Sequence, residues 1–188
     1  MGIPRERKLV VVFGGSLGAR TINNATVNAL SALKDRDDIE IRHIIGTRDF
    51  ADVTGRASLP TGASLTYTPI EYENDMASVY AAADLVVCRA GATSCAELAA
   101  TGTPAVLIPL PGAPGDHQTA NARALERAGG AELIADSIFD GELFVDTVTR
   151  LLATESILAS MRAGATSVAR PDAAIAVTDL VEQHGATS

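Results

Sequence analysis

Three stretches rich in glycine and hydroxyl residues carry most of the chemistry this chain offers. The first, Gly14-Gly15-Ser16-Leu17-Gly18-Ala19, stands between the apolar run Leu9 to Phe13 and a segment of helical periodicity from Arg20 to Leu33. A glycine-rich turn of this kind is suited to an anion. Glycines let the backbone approach a phosphate, and the first N–H groups of the helix lack internal partners and point at it along the helix dipole. Ser16 adds a hydroxyl donor. The second stretch, Cys88-Arg89-Ala90-Gly91-Ala92-Thr93-Ser94, sets small residues and two hydroxyls before a helix carrying Glu97 in its first turns. A carboxylate there suits a ribose diol, and it also suits plain stabilisation by the helix dipole. The third, Pro109 to Gln118, is long for a strand-to-helix connection and ends in Asp116-His117-Gln118. Asn121 follows on the helix face of Gln118, and the two amides fit either sugar hydroxyls or solvent. His117 fits a helix cap or a ligand contact, and Arg89 fits a diphosphate or a structural ion pair.

These stretches need a frame that brings them to one place. Apolar runs at Lys8–Phe13, Ile39–Ile45, Leu65–Thr68, Leu85–Val87, between Pro104 and Pro109, and at Ala131–Ala135 read as strands. Helical spacing separates them, with Asp75 as the cap of a helix through Met76, Val79 and Ala83, and three more helices follow the last strand. Pro69 is expected to turn the chain out of the third strand. Strict alternation of strand and helix predicts a doubly wound, Rossmann-like α/β domain with a parallel sheet of about six strands, a single domain over residues 1–188. All strand-to-helix turns then share one sheet edge, where such folds bind ligands. Met1 to Arg7 reads as the remnant of an interdomain linker.

Composition narrows the function. The 188 residues carry a formal net charge of −8, which argues against a nucleic-acid face. No run approaches the roughly 18 apolar residues of a membrane span, and no secretory leader pattern is present, so a cytoplasmic place is expected. Cys88 and Cys95 read as packed thiols. No cluster of His, Asp and Glu has metal-ligand spacing, so neither a metal nor a cofactor is expected. The glycine pattern is not G-x-G-x-x-G, and the second strand ends in Gly46-Thr47-Arg48 without an acidic residue, which argues against NAD.

Taken in order, Gly14 to Ala19, Asp84 to Glu97, and Asp116 to Ala122 followed by Ala128-Gly129 resemble the C-terminal, donor-binding half of MurG-type family 28 glycosyltransferases. Similarity runs from about Leu9 to the last helices. The resemblance implies one half of a GT-B fold, holding UDP-N-acetylglucosamine or a related UDP-sugar. An N-terminal domain or a separate subunit would hold a lipid-linked acceptor and bring the enzyme to the inner face of a membrane. It places Gly14, Gly15, Ser16, Gly18, Ala19, Thr93 and Ser94 at the diphosphate, and Tyr72, Glu73, Met76, Arg89 and Glu97 around the uridine. His117, Gln118 and Asn121 fall to the sugar. Two departures stand out: Leu17 where the family commonly has Gln, and Ala90 where Ser is frequent.

The reaction so implied is inverting displacement at the anomeric carbon with UDP leaving, the general base lying in the acceptor half. The isolated domain would then be inactive. His43, on a strand, and His184, in the last helix, read as core or surface residues. A UDP-sugar epimerase half and a non-catalytic nucleotide-sugar-binding module are the alternatives.

Overall fold

The apolar run Lys8–Phe13 forms β1, and its residues face alternate sides of the sheet. Leu9, Val11 and Phe13 enter one hydrophobic cluster, Val10 and Val12 the other. Burial on both faces is why the run is continuous and does not alternate with polar residues. Around it lie β2 (Ile39–Ile44), β3 (Thr66–Ile70), β4 (Leu85–Cys88), β5 (Ala105–Leu107) and β6 (Ala131–Leu133). All pair in parallel, in the order β3-β2-β1-β4-β5-β6. This is the doubly wound order, and it reverses between β1 and β4, so the crevice lies outside the carboxyl ends of those two strands. The computed structural model describes residues 7–185, without the side chains of residues 174, 176, 177, 180, 184 and 185. Residues 1–6 of the expected linker and the His184 side chain lie outside the described residues.

Helices α1 (Arg20–Ala29), α2 (Phe50–Arg56), α3 (Met76–Ala82), α4 (Ala92–Thr101), α5 (His117–Arg127), α6 (Gly141–Leu152), α7 (Glu155–Ser167) and α8 (Ala173–Gly185) complete the chain. Ile22, Ala25 and Leu30 pack with Phe144 and Val148 of α6 on one sheet face. There the two helix backbones come close: a Cβ on Gly141 would sit 2.7 Å from that of Asn28. Val79, Leu98, Ala122, Leu125 and Ala165 fill the other face. Cys88 and Cys95 are free and buried, and burial pushes the Cys95 thiol up to about 11. Gly102, with φ +65, ends α4 in the left-handed conformation that a C-terminal cap requires.

The elements match the alternation read from the sequence, with two corrections. Pro69 does not turn the chain out of β3 but lies within it, opposite His43. As the outermost strand, β3 has no neighbour on one side, and a proline there need not break the ladder. The chain turns instead after Ile70. The α-helical part of α1 also ends at Ala29, four residues earlier than the periodicity suggested, with Leu30 to Leu33 continuing in turns.

Two loops at the carboxyl edge touch backbone to backbone. Gly18 (φ +83) and Gly46 (φ +93) face each other so closely that a Cβ on Gly46 would lie 2.2 Å from the Gly18 nitrogen. A Cβ on Gly18 would lie 2.3 Å from the Ile45 carbonyl oxygen. Thr47 N–H donates to the Ser16 carbonyl at 3.3 Å across the same contact.

A buried polar chain supports that contact from below. Asn23 Nδ2 donates to the Ile45 carbonyl at 3.2 Å and to Asp49 Oδ2 at 3.3 Å, which leaves Oδ1 to accept from His43 Nε2 at 3.0 Å. His43 Nδ1 then accepts from the Tyr67 hydroxyl at 3.0 Å. This chain fixes a neutral tautomer, and burial lowers the His43 pKa to about 3. Of the core and surface readings, His43 takes the core one.

Two outcomes follow from this packing. The unfolded chain takes up the His43 proton near pH 6.5 and the folded one near 3, so stability present above 6.5 is lost as pH falls. Urea unfolding between about pH 7 and about pH 5 should show a loss of about 2 kcal/mol. His43→Gln should flatten that slope. Gly46→Ala, which meets both the left-handed backbone and the Gly18 nitrogen, should destabilise by at least ~2 kcal/mol in the same assay. Gly62→Ala, equally left-handed but with open space around it, should cost about 1 kcal/mol.

Candidate functional site

Helices α1 and α4 both begin at the crevice without a side-chain cap. Ala19 and Gly91 precede them, neither offers a side-chain acceptor, and neither first turn holds an acidic residue. Helices α3 and α6 differ: Asp75 accepts from the Ser78 N–H at 3.1 Å and Asp140 from the Leu143 N–H at 2.9 Å. The N–H groups at the starts of α1 and α4 therefore face the crevice without a side-chain capping acceptor. A cavity of about 660 Å³ lies against both, walled by Gly14, Gly15, Gly18, Ala19, Gly91 and Ser94. Arg20 and Arg48 add charge at its side. Arg48 is held by Asp49 at 2.8 Å, an interaction that keeps the Asp49 carboxyl below the usual range. Gly15 adopts φ +98 with nothing within 4 Å of a Cβ position, an open stretch of backbone that a ligand can approach.

A second cavity of about 170 Å³ adjoins the first and shares Phe13, Gly15 and Ser94 with it. Its walls are Ile44, Gly46, Tyr72, Glu73, Met76, Tyr80 and Glu97, with Ser16 at the shared side. Apolar and aromatic faces dominate, and Glu97 brings a carboxylate to one wall. Glu73 is a wall residue fixed by the protein itself. Its Oε1 accepts from the Asp75 N–H at 3.0 Å and its Oε2 from Arg42 at 2.8 Å, and these contacts, the Asp75 N–H first, hold its carboxyl below the ordinary range. Tyr72 stands half out at the mouth, 51% exposed.

Most residues singled out from the sequence come together at these two cavities. Gly14, Gly15, Ser16, Gly18, Ala19 and Ser94 line the shared crevice, and Tyr72, Glu73, Met76 and Glu97 the smaller part. Gln118 reaches the larger part, where its Oε1 accepts from the Leu110 N–H at 2.9 Å. Arg89 lies there too, away from the uridine side where it was expected. Its Nη1 donates to the carbonyls of Ile108 and Pro109, both at 3.1 Å, and lies 2.6 Å from Asp136 Oδ1. That contact is an ion pair by distance without the alignment of a hydrogen bond, and Arg89 Nε and Asp136 Oδ1 have no hydrogen-bond partner. Asp136 Oδ2 accepts from Thr21 in the first turn of α1. Arg89 thus makes the structural ion pair, tying together the loops after β4, β5 and β6 and, through Asp136, the first turn of α1.

Thr93, His117 and Asn121 line neither cavity. Thr93 is exposed, one helical step away from Ser94. His117 is exposed, with Nδ1 2.7 Å from the Pro114 carbonyl. The Asn121 amide donates to the Ala90 carbonyl at 3.1 Å and so braces the turn between β4 and α4. Asp116, the non-glycine residue at φ 52, holds the loop before α5 in a strained conformation of the kind that clusters at sites.

Sequence reasoning passed over Tyr80, Phe13, Ile44 and Gly46. Tyr80 was hidden by its place on an apolar helix face, and Gly46 was legible only as a strand end. Among the described residues no group of three or more His, Cys, Asp or Glu side chains is placed to hold a metal ion. No helix among them is long and apolar enough to cross a membrane.

Known proteins resemble this chain in sequence and fold. The model of the glycosyltransferase family 28 C-terminal domain matches residues 9–177. A Salinibacter ruber protein named UDP-N-acetylglucosamine--N-acetylmuramyl-(pentapeptide) pyrophosphoryl-undecaprenol N-acetylglucosamine transferase is 43% identical, over 92% of this chain and 45% of its own length. The protein of the same name from Myxococcus xanthus is 43% identical over 95% and 46%. The chain spans about half the length of these relatives. The crystal structure of Acinetobacter baumannii MurG superposes with a TM-score of 0.84 at 33% identity, covering 96% of this chain and 51% of that one. A Listeria monocytogenes protein assigned as a UDP-N-acetylglucosamine 2-epimerase reaches 0.68 at 16% identity, covering 98% and 47%, and shares the fold alone. By the extent of these matches and the six-stranded parallel sheet beneath them, the chain belongs to the glycosyltransferase family 28 C-terminal domain.

Proposed function

We propose that this domain binds a UDP-sugar, UDP-N-acetylglucosamine as the leading member, and serves as the donor half of an inverting glycosyltransferase. The observation that carries the reading is the pair of uncapped helix ends, α1 and α4, meeting at one crevice that continues into a small apolar cavity with a carboxylate in its wall. A diphosphate matches the first part and a nucleoside the second. The diphosphate lies at the backbone of Gly14, Gly15, Gly18 and Ala19, with the hydroxyls of Ser16 and Ser94. Uracil lies by Tyr72, Glu73 and Met76, the ribose diol on Glu97, and the sugar toward Gln118.

As the glycosidic bond to the phosphate breaks, negative charge grows on UDP. Donors already aimed at that place stabilise it without rearrangement. No metal is required where helix N-termini and the nearby Arg20 and Arg48 offset the charge. The base that deprotonates the acceptor hydroxyl comes from an acceptor-holding domain or subunit, because the two carboxylates in the crevice have other work: Glu73 is bound to Arg42 and Asp75, and Glu97 serves the ribose. The acceptor is a lipid-linked sugar, which brings the assembled enzyme to the cytoplasmic face of a membrane.

Calorimetric titration of the chain with UDP should show binding that Glu97→Ala weakens about tenfold. Chelation with EDTA should leave the affinity unchanged. Binding of NAD in place of UDP would overturn the reading. The chain alone, given UDP-N-acetylglucosamine and a lipid-linked acceptor, should release no UDP above the uncatalysed rate.

A further inference from the structure

Tyr80, Ser94 and Glu97 meet at the wall of the smaller cavity. Tyr80 sits in α3, 3% exposed, its ring edge-on to Phe13 with centroids 6.1 Å apart and planes at 73°. A phenol with its ring buried this deeply places its hydroxyl among the polar groups of the cavity wall. The polar side chains beside it at that wall are Ser94 and Glu97, which lie three residues apart on one face of α4. An ionised carboxylate only accepts, so of the phenol and Glu97 the phenol is the one that can donate. From the other side, the Thr103 hydroxyl donates to the Tyr80 carbonyl at 3.2 Å and pins the end of α3 in place.

We propose that Tyr80 is a positioning residue: its hydroxyl holds one side of the Glu97 carboxylate so that the remaining oxygen lone pairs face a ribose diol, making preference for ribose depend on α3 as well as α4. The inference rests on the uridine reading above. A glutamate at this place has three rotatable bonds and would otherwise sample several orientations, so fixing it removes an entropic cost from each ligand hydrogen bond. Burial, together with the Cys88 thiol and the Glu97 carboxylate nearby, pushes the phenol's pKa well up. It therefore remains a donor wherever the protein is folded.

Tyr80→Phe removes the hydroxyl and keeps the ring that packs on Phe13. Calorimetry with UDP and with 2′,3′-dideoxyuridine diphosphate, which lacks the diol, separates the possibilities. Tyr80→Phe should weaken UDP about tenfold and leave the dideoxy ligand within about twofold, so that preference for the diol is lost while the fold stands. Combined with Glu97→Ala it should add almost nothing to the loss from Glu97→Ala alone, because the hydroxyl acts through that carboxylate. Unchanged UDP affinity in Tyr80→Phe, or equal weakening of both ligands, would overturn the positioning role. In that event a Glu97→Ala variant that still loses UDP leaves the uridine reading standing. A Glu97→Ala variant that binds UDP as the parent does removes the ribose contact and, with it, this proposal.

Discussion

The approach of Gly18 to Gly46 is the constraint on which the carboxyl edge depends. It brings the loop after β1 against the loop after β2 with no side chain between them, and so sets where the first helix begins. Position and direction of the α1 N-terminus follow from that contact, as does the exposed backbone at Gly15. The Asn23, His43 and Asp49 side chains then hold the contact from the sheet side, with every hydrogen-bonding group of Asn23 in use. A buried polar chain of this kind is tolerable only because it is complete. It converts an adjustable loop into a fixed one.

Charge in this domain is distributed in a way the total conceals. The chain carries −8 overall, yet the crevice gathers helix N-termini, Arg20 and Arg48, with Asp49 drawn back beneath them. The carboxylates that do reach it are placed one by one, Glu73 in a pair with Arg42 and Glu97 against a phenol. An acidic surface with a locally positive cleft disfavours polyanions while accepting a single diphosphate.

Much of this was legible in the residues before any coordinates. The parallel order followed from strands alternating with helices, and one shared edge for the three loops followed from the parallel order. Gly14 to Ala19, Ser94, Glu97 and Gln118 were visible because their residue types are unusual in a turn or at the start of a helix. Three kinds of information were hidden. Pairing between distant positions was one: nothing near Arg89 announces Asp136. Helix phase was another, since a single step at a helix start decides whether Thr93 or Ser94 faces the crevice. The third was the double nature of Tyr80, whose ring satisfies the apolar periodicity of α3 while its hydroxyl serves the site. Pro69 misled for a related reason, because a proline reads as a break until the strand is known to be outermost.

The cross-brace of Arg89, Asp136, Thr21 and the carbonyls of Ile108 and Pro109 has an implication for how such a domain changes over time. It fastens the turns after β4, β5 and β6 to the first turn of α1 along the crevice wall, whereas Ser16, Leu17 and Leu110 stand exposed on the same edge. The bracing residues and the exposed ones are thus different residues of one edge. Substitution at the exposed positions would alter the surface offered to a ligand and leave the brace that presents it unchanged.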